Sequence, residues 1–302
     1  MIEALDNPYI ERINIVIDTI SNNLTGDLSL ERLAQVAHFS PFHFHRLFKG
    51  LVGETLNQFV NRIRIERAAM LLRGSPTMNI LDAAIACGYD SAAGFSRAFK
   101  KRFGIAPRQW DRLSPLQERK ISQVAGEFPL YTVDKLCDIA QRGEFTVQIQ
   151  AIPTQRLAYI RISDSYRQWQ EIVAAHDRLM QWYQAQGGKL SQARLYSMSQ
   201  DDPEITPTEK CRFDWCIAVP DHWSIRTDIT ERQFPACQVA MVHTQGDLHL
   251  LDKAWQYLWR YWLPRSRYQP DNLPAIEIYR RLPLELGWET FDMWCAIPII
   301  AL

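Results

Sequence analysis

Two sets of residues have the types and spacing to do chemistry. The first is a carboxylate in an apolar strand, Glu277 within Ala275-Ile-Glu-Ile-Tyr279, with Trp255, Trp259, Trp262, Trp288 and Trp294 nearby in sequence. A carboxylate at the floor of an aromatic cup attracts organic cations by Coulomb and cation–π terms, each ~0.5–2 kcal/mol or more once water is excluded. Strand alternation puts Glu277 on one face with Ala275 and Tyr279, and Ile276 and Ile278 on the other. The plainer alternative is an ordinary glutamate on a solvent-facing strand. The second set is basic and repeats: Phe44-His-Arg46-Leu-Phe48-Lys49 matches Phe95-Ser-Arg97-Ala-Phe99-Lys100 at an offset of 51 residues. Phenylalanines spaced i, i+4 belong to a core, whereas an arginine on the opposite helix face can bond guanine or phosphate.

The flanking sequence supplies helices to carry those arginines. After Pro8, Ile10, Ile13, Ile17 and Ile20 recur at helical spacing. Ser29 caps a short helix closed by Val36-Ala37, and Ser40-Pro41 opens a longer one, Pro41–Leu51, stopped by Gly53. A long amphipathic helix, Thr55–Arg73, ends at Gly74-Ser75-Pro76. The plan then recurs. Asn79–Cys87 is followed by Gly88, and Ser91–Phe103 is capped by Ser91 and stopped by Gly104, with a last turn from Pro107 to Leu113. This is a duplicated helix-turn-helix.

On the first long helix Phe44, Leu47, Phe48 and Leu51 face inward, leaving Phe42, His45, Arg46 and Lys49 outward. On the second, Phe95, Ala98, Phe99 and Phe103 face inward and Ala92, Ala93, Ser96 and Arg97 outward, with Lys100-Lys101-Arg102 as phosphate partners. Ala92 and Ala93 allow apolar contact with thymine methyls but no side-chain hydrogen bond, so the first motif should discriminate bases better. Two such helices about one DNA turn (~34 Å) apart would read successive major-groove segments.

A chain of 302 residues suggests two domains, each with its own core. At 47% hydrophobic and 23% charged it is not a disordered polymer. No window nears the ~18 apolar residues of a membrane span, and the first ten residues lack a signal pattern. Six scattered cysteines without C-x-x-C point to a reduced, cytoplasmic protein and away from a zinc site. His43 and His45 lack a third ligand nearby, so neither metal nor cofactor is expected. A net charge of zero argues against nucleic acid only until the chain is divided. Met1–Lys120 holds 16 Lys/Arg and 12 Asp/Glu, while the remainder holds 18 and 22 together with nine of the ten tryptophans.

That remainder alternates like strands over Phe145–Gln150 and Gln155–Ile162, then gives a helix at Tyr166–Gln186 and strands at Arg194–Ser199 and Phe213–Val219. The order recurs: Asp228–Phe234, Cys237–Thr244, a helix at His249–Trp262, then Ala275–Arg280 and Thr290–Pro298. Echoes at offsets of 82 (Ile152-Pro153 and Phe234-Pro235), 83 (Leu195-Tyr196 and Ile278-Tyr279) and 78 (Phe213 and Phe291) support a duplicated β-β-α-β-β unit. A pseudo-two-fold relation would leave a ligand cleft at the junction.

The run Gly88-Tyr-Asp-Ser91, Phe95-Ser-Arg97-Ala-Phe99-Lys100, Phe103-Gly104 and Pro107 resembles the signature of AraC/XylS-family transcription regulators, as does Ser40-Pro-Phe-His43-Phe-His-Arg46-Leu-Phe48-Lys49. The resemblance covers about Ile10–Leu113. It implies base contacts from Phe42, His45, Arg46, Ala92, Ala93, Ser96 and Arg97. The second half is similar to GyrI-like effector-binding domains over about Phe145–Ile299. The motifs are Asp201-Asp202-Pro203, Cys211-Arg212, Trp262-Leu-Pro264 and Glu277-Ile-Tyr279. That resemblance makes Glu277 the cation-recognising acid and Asp201-Asp202-Pro203 a structural turn, with a pocket tyrosine at Tyr159 or Tyr196.

The expected fold is therefore α+β and multidomain: an all-α double helix-turn-helix at 1–115, a linker with one weak helix at 116–143, and the duplicated domain at 144–302. The expected function is a non-enzymatic regulator that binds promoter DNA. Its effector is small and hydrophobic, with a cation favoured, and is held by Glu277, Tyr279, Trp259, Tyr159 and Tyr196. Alternatives for the second half are a hydrolase of electrophiles using Glu277 as base, or a ligand-free platform that contacts RNA polymerase.

Overall fold

Side-chain caps set the helix starts in the first half of the chain. There α1 runs Pro8–Asn22, α2 Leu30–Val36, α3 Pro41–Val52, α4 Leu56–Gly74, α5 Ile80–Ala86 and α6 Ala92–Phe103, followed by a 3-10 turn at Pro107–Gln109. Ser29, Ser40, Asn79 and Ser91 accept the backbone N–H of Arg32, His43, Asp82 and Gly94 at 3.3, 3.4, 2.8 and 3.1 Å. Each such cap contributes about 1 kcal/mol. Gly53 and Gly104 end α3 and α6 at a φ of 77°. The computed structural model describes residues 8–74, 78–110, 129, 131–203, 205–225 and 229–302. The expected stop at Ser75-Pro76, the end of the turn at Leu113, linker residues 116–128 and Asp228 lie outside the described residues.

Contacts divide the chain into two units, Met1–Ser114 with Arg226–Thr230, and Pro115–Ile225 with Glu231–Leu302. In the first, Phe44, Phe48, Phe95 and Phe99 are fully buried. Phe48 meets Phe59 of α4 edge-on at 5.5 Å, and Phe99 meets Trp110 at 5.2 Å. Beside this core Arg62 bridges Glu54 and Glu66 at 2.7 and 3.0 Å, and Arg102 reaches Glu66 at 3.1 Å. Leu51, expected inside, is 43% exposed at the end of α3.

The two motifs differ by one residue in their turns, which span 37–40 and 87–91. The residue after each short helix's C-cap is left-handed, His38 at φ 54° and Gly88 at φ 77°. At Gly88 a Cβ would also collide with the Leu24 carbonyl oxygen. That oxygen accepts two bonds from Arg64 of α4, at 2.7 and 3.0 Å. Gly88→Ala is therefore expected to destabilise the helical unit by about 1–2 kcal/mol through the left-handed conformation alone. Urea unfolding checks this, with His38→Gly as the contrast that should not destabilise.

In the second unit a helix, α7 (Val133–Gln141), precedes the sheet. Strands β1 (Gln148–Ile152) and β2 (Gln155–Ser163), helix α8 (Trp169–Ala185), and strands β3 (Leu195–Ser199) and β4 (Arg212–Ala218) form the first repeat. The second has β5 (Thr230–Phe234), β6 (Cys237–Gly246), α9 (Leu248–Gln256), an added short β7 (Tyr268–Pro270), β8 (Ala275–Tyr279) and β9 (Phe291–Ala301). The expected helix to Trp262 holds its α-form only to Gln256 and continues as a π-helical turn, Tyr257–Trp262. Phe145, expected in the first strand, instead packs on Tyr257 at 5.3 Å.

The strands form one sheet in the order β1-β6-β9-β8-β3-β4-β2-β5, with β7 on β9. Reading this order backwards exchanges β1 with β5, β6 with β2, β9 with β4, and β8 with β3. The pseudo-two-fold therefore lies between β8 and β3, and each repeat lends its first strand to the edge of the other. An axis normal to the sheet keeps side chains on their own face, so equivalent residues of the two repeats must share a face. The Leu195-Tyr196 echo with Ile278-Tyr279 fails that condition, because Tyr196 pairs with Ile278 and so faces away from Tyr279.

Candidate functional site

On α3 the side chains expected outward are outward: Phe42 is 67% exposed, and His45, Arg46 and Lys49 are exposed. The Arg46 guanidinium lies 5.8 Å over the Phe42 ring, an i, i+4 pair on the solvent face. On α6, Ala92, Ala93, Arg97, Lys100 and Lys101 are exposed and Ser96 is half-buried. Arg102 departs from the expected phosphate role. It bonds Glu66 and lies 5.0 Å over Phe103, because its position on the helix turns it toward α4. Exposure leaves α3 with an arginine, a histidine and a phenyl ring for a partner, and α6 with two methyl groups and an arginine.

The second constellation sits at the pseudo-two-fold. Glu277 of β8 pairs in register with Ser197 of β3 and Cys295 of β9, and Ser197 pairs with Trp215 of β4. These four share one face, which carries α8 and α9: Trp215 donates its indole N–H to the Ile172 carbonyl of α8 at 2.9 Å. Cys295 packs with Ala254 and Leu258. Ser197 Oγ donates a short hydrogen bond to Glu277 Oε2. Tyr279 donates to the same oxygen at 3.2 Å, and Trp255 Nε1 donates to Oε1 at 3.3 Å.

Further rings continue from Tyr279. Trp215 lies 5.3 Å from Tyr279 and 6.0 Å from Trp288, and His176 stands edge-on between the two indoles at 5.2 and 4.9 Å. Burial pushes the Glu277 carboxyl up, although its three donors pull the other way. Burial also holds the Tyr279 phenol well above its usual range, with the Glu277 charge adding to the effect, and holds the His176 imidazole down. Burial thus favours the uncharged imidazole and phenol, while at Glu277 the three donors favour the carboxylate that burial opposes. Because three donors already satisfy the carboxylate, a cation without N–H groups gains Coulomb and π attraction here without needing a hydrogen bond.

The chain matches the model of the GyrI-like small molecule binding domain over residues 145–297, about half its length, and a helix-turn-helix domain over 33–113. It is 34% identical over 95 residues to the HTH-type transcriptional activator AarP of Providencia stuartii, covering 32% of this chain and 70% of that one. The chain belongs to the AraC family and carries a GyrI-like domain. Similarity also reaches the bifunctional transcriptional activator/DNA repair enzyme AdaA of Bacillus subtilis, at 34% over 111 residues, 37% of this chain and 52% of AdaA. Rob of Salmonella typhimurium is 34% identical over 95 residues, 32% of either chain. The chain thus spans about half of AdaA and a third of Rob.

Within the GyrI-like domain the structure joins Glu277 to Tyr279 and Trp255, but not to every residue the sequence singled out. Tyr159 and Tyr196 lie on the opposite face: the row Tyr159–Cys216–Tyr196–Ile278–Trp294 is one residue out of step with the Glu277 row. Tyr159 is instead covered by Arg232 at 4.2 Å, and Tyr196 bonds Gln155 at 2.7 Å. Trp259 packs in the cluster with Leu136 of α7, Trp262 stacks on Tyr268 at 6.2 Å, and Trp294 meets His243. Asp201 is structural, accepting from the Arg212 backbone and guanidinium at 2.7–2.9 Å. Sequence reasoning missed Ser197, Trp215 and His176. Alternation could have put Ser197 on one face with Leu195, but nothing local to β3 tells that β8 is its neighbour. Among the described residues no helix is long and apolar enough to cross a membrane, and no His/Cys/Asp/Glu group could hold a metal.

Proposed function

We propose that this chain is a transcription regulator that reads promoter DNA with α3 and α6 and takes a small hydrophobic cation at Glu277. Phe42, His45 and Arg46 meet base edges in one major-groove segment, and Ala92, Ala93, Ser96 and Arg97 in the next. Lys49, Lys100 and Lys101 take phosphates. Residues 1–115 act as the DNA-binding domain, 116–143 as the connection and 144–302 as the effector domain, with ligand contacts from Glu277, Tyr279, Trp215 and Trp255. The observation that carries the reading is the buried carboxylate on the pseudo-two-fold, bonded by the Trp255 indole and the Tyr279 phenol, with the Trp215 ring against Tyr279. Such a regulator works in the cytoplasm, with RNA polymerase as the partner that converts occupancy into altered transcription.

Selecting duplexes from a random pool with the full chain tests the DNA half. A bipartite sequence is expected, with binding that weakens steeply with salt, log K falling by about 0.9 per log salt for each phosphate neutralised. Failure to enrich any sequence, or affinity indifferent to salt, would count against it. The raised Glu277 carboxyl also favours a second reading, a hydrolase of electrophiles with that group as base. Catalytic product formation from such a compound would establish it, and stoichiometric binding without product would not.

A further inference from the structure

The cup and the chain segment leading in from the helical unit meet on adjacent residues of one helix. Trp255 donates to Glu277, and its neighbour Gln256, at 4% exposure, divides its carboxamide between Asp252 of the same helix, at 2.6 Å, and the segment just before α7. Gln256 Oε1 accepts the Tyr131 N–H at 3.0 Å, and Nε2 donates to the Pro129 carbonyl at 3.0 Å. This pairs with the backbone much as a neighbouring strand would. One turn on, Arg260 donates to the Tyr131 carbonyl at 2.8 Å and to Gln256 Oε1 at 3.2 Å. Lys253, one turn back, pairs with Glu144 and lies 5.8 Å over the Tyr131 ring.

Two features make this helix able to carry a displacement. Residues 255 and 256 are consecutive on a rigid α-helix, so a shift or rotation that moves the indole also moves the carboxamide. Immediately beyond lies the π-helical turn Tyr257–Trp262, where the extra residue per turn can be relieved by a small change of register. A bulky cation seated against Glu277 competes for the space that the Trp255 ring occupies.

We propose that Gln256 and Arg260 form a coupling clasp: displacement of Trp255 by effector moves α9 and loosens its hold on Pro129 and Tyr131, so that effector occupancy reaches the connection to the DNA-binding domain. This rests on the proposed cation site at Glu277. The partner of the clasp is the chain's own backbone, so its state can be read at one amide.

The test uses the full-length chain with tetraphenylphosphonium as probe and a duplex selected by the wild type. Hydrogen exchange at the Tyr131 amide is expected to speed up when the probe binds, and DNA affinity is expected to change. In Gln256→Ala the probe should bind within about twofold of wild type, Tyr131 should exchange fast with or without it, and DNA affinity should no longer respond. Arg260→Met repeats the test from the other bond, so that misfolding of one variant does not decide the matter. An undiminished probe effect on DNA affinity in either folded variant overturns the clasp alone. Absence of probe binding to wild type overturns the cation site, and the clasp with it.

Discussion

Replacing Glu277 by glutamine is expected to weaken tetraphenylphosphonium binding tenfold to a hundredfold while leaving a neutral ligand of similar shape, such as triphenylphosphine oxide, nearly unaffected. The exchange keeps the size of the side chain and one acceptor oxygen, which Ser197 and Tyr279 can share; the charge goes, and the amide nitrogen in place of the other oxygen cannot accept from Trp255, a loss that the neutral ligand reads separately from the charge. A unit charge a few ångströms from a cation in a partly buried site is worth on the order of 1.4–2.8 kcal/mol net, which is that fold-change. The sign of the pH effect follows from burial. The carboxyl is held above the ordinary glutamate value, so cation affinity falls as pH drops through that raised value, and Glu277→Gln abolishes the dependence. Without ligand the same group binds its proton more tightly folded than unfolded. Stability is therefore greatest below the ordinary value and declines as pH rises through the raised one, a decline that bound cation offsets. Thermal shifts and calorimetry across pH read all three. Equal cation affinity in both proteins would remove Glu277 from recognition.

How far the sequence reveals this site depends on whether the relevant physics is local. Ser40-Pro41 and Gly53, or Ser91 and Gly104, act within one turn of helix, and α3 and α6 lie where those residues place them. Alternation within β8 likewise put Glu277 and Tyr279 on one face, and they share a hydrogen bond. What the chain does not display locally is which strand lies next to which. Tyr159 and Tyr196 have the chemistry of pocket residues, but their face is decided by registers with β4 and β8 set by residues 20 to 82 positions away. The exchange of β1 and β5 between repeats is equally silent, because each of those strands reads the same beside either neighbour. Tryptophan number was a poor guide to which rings lie near Glu277. Trp255 bonds the carboxylate, Trp262 stacks elsewhere, and Trp215, in the other repeat, lies against Tyr279.

On the DNA side, Arg46→Ala is expected to cost about 1–3 kcal/mol of affinity for the selected duplex and to relax its preference at one or two adjacent positions. Arg46 is exposed on α3 and touches the equally exposed Phe42 ring, so the substitution leaves the fold intact, and circular dichroism should show no change. The contrast lies in Arg97→Ala, at the matching place on α6. There the neighbours toward the helix start are Ala92 and Ala93, whose methyl groups can approach thymine but cannot bond a base edge. If Arg97 serves a phosphate, its loss weakens all duplexes alike and reduces the salt slope by about one phosphate; if it reads a base, its loss should blur one position of the second half-site. The decisive comparison is between the two variants on a mutated-site library. A reading surface with its hydrogen-bonding power concentrated in α3 requires Arg46→Ala to lose more sequence discrimination than Arg97→Ala. Equal losses would mean that the two helices read equally, despite the difference between Phe42-His45-Arg46 and Ala92-Ala93-Ser96-Arg97.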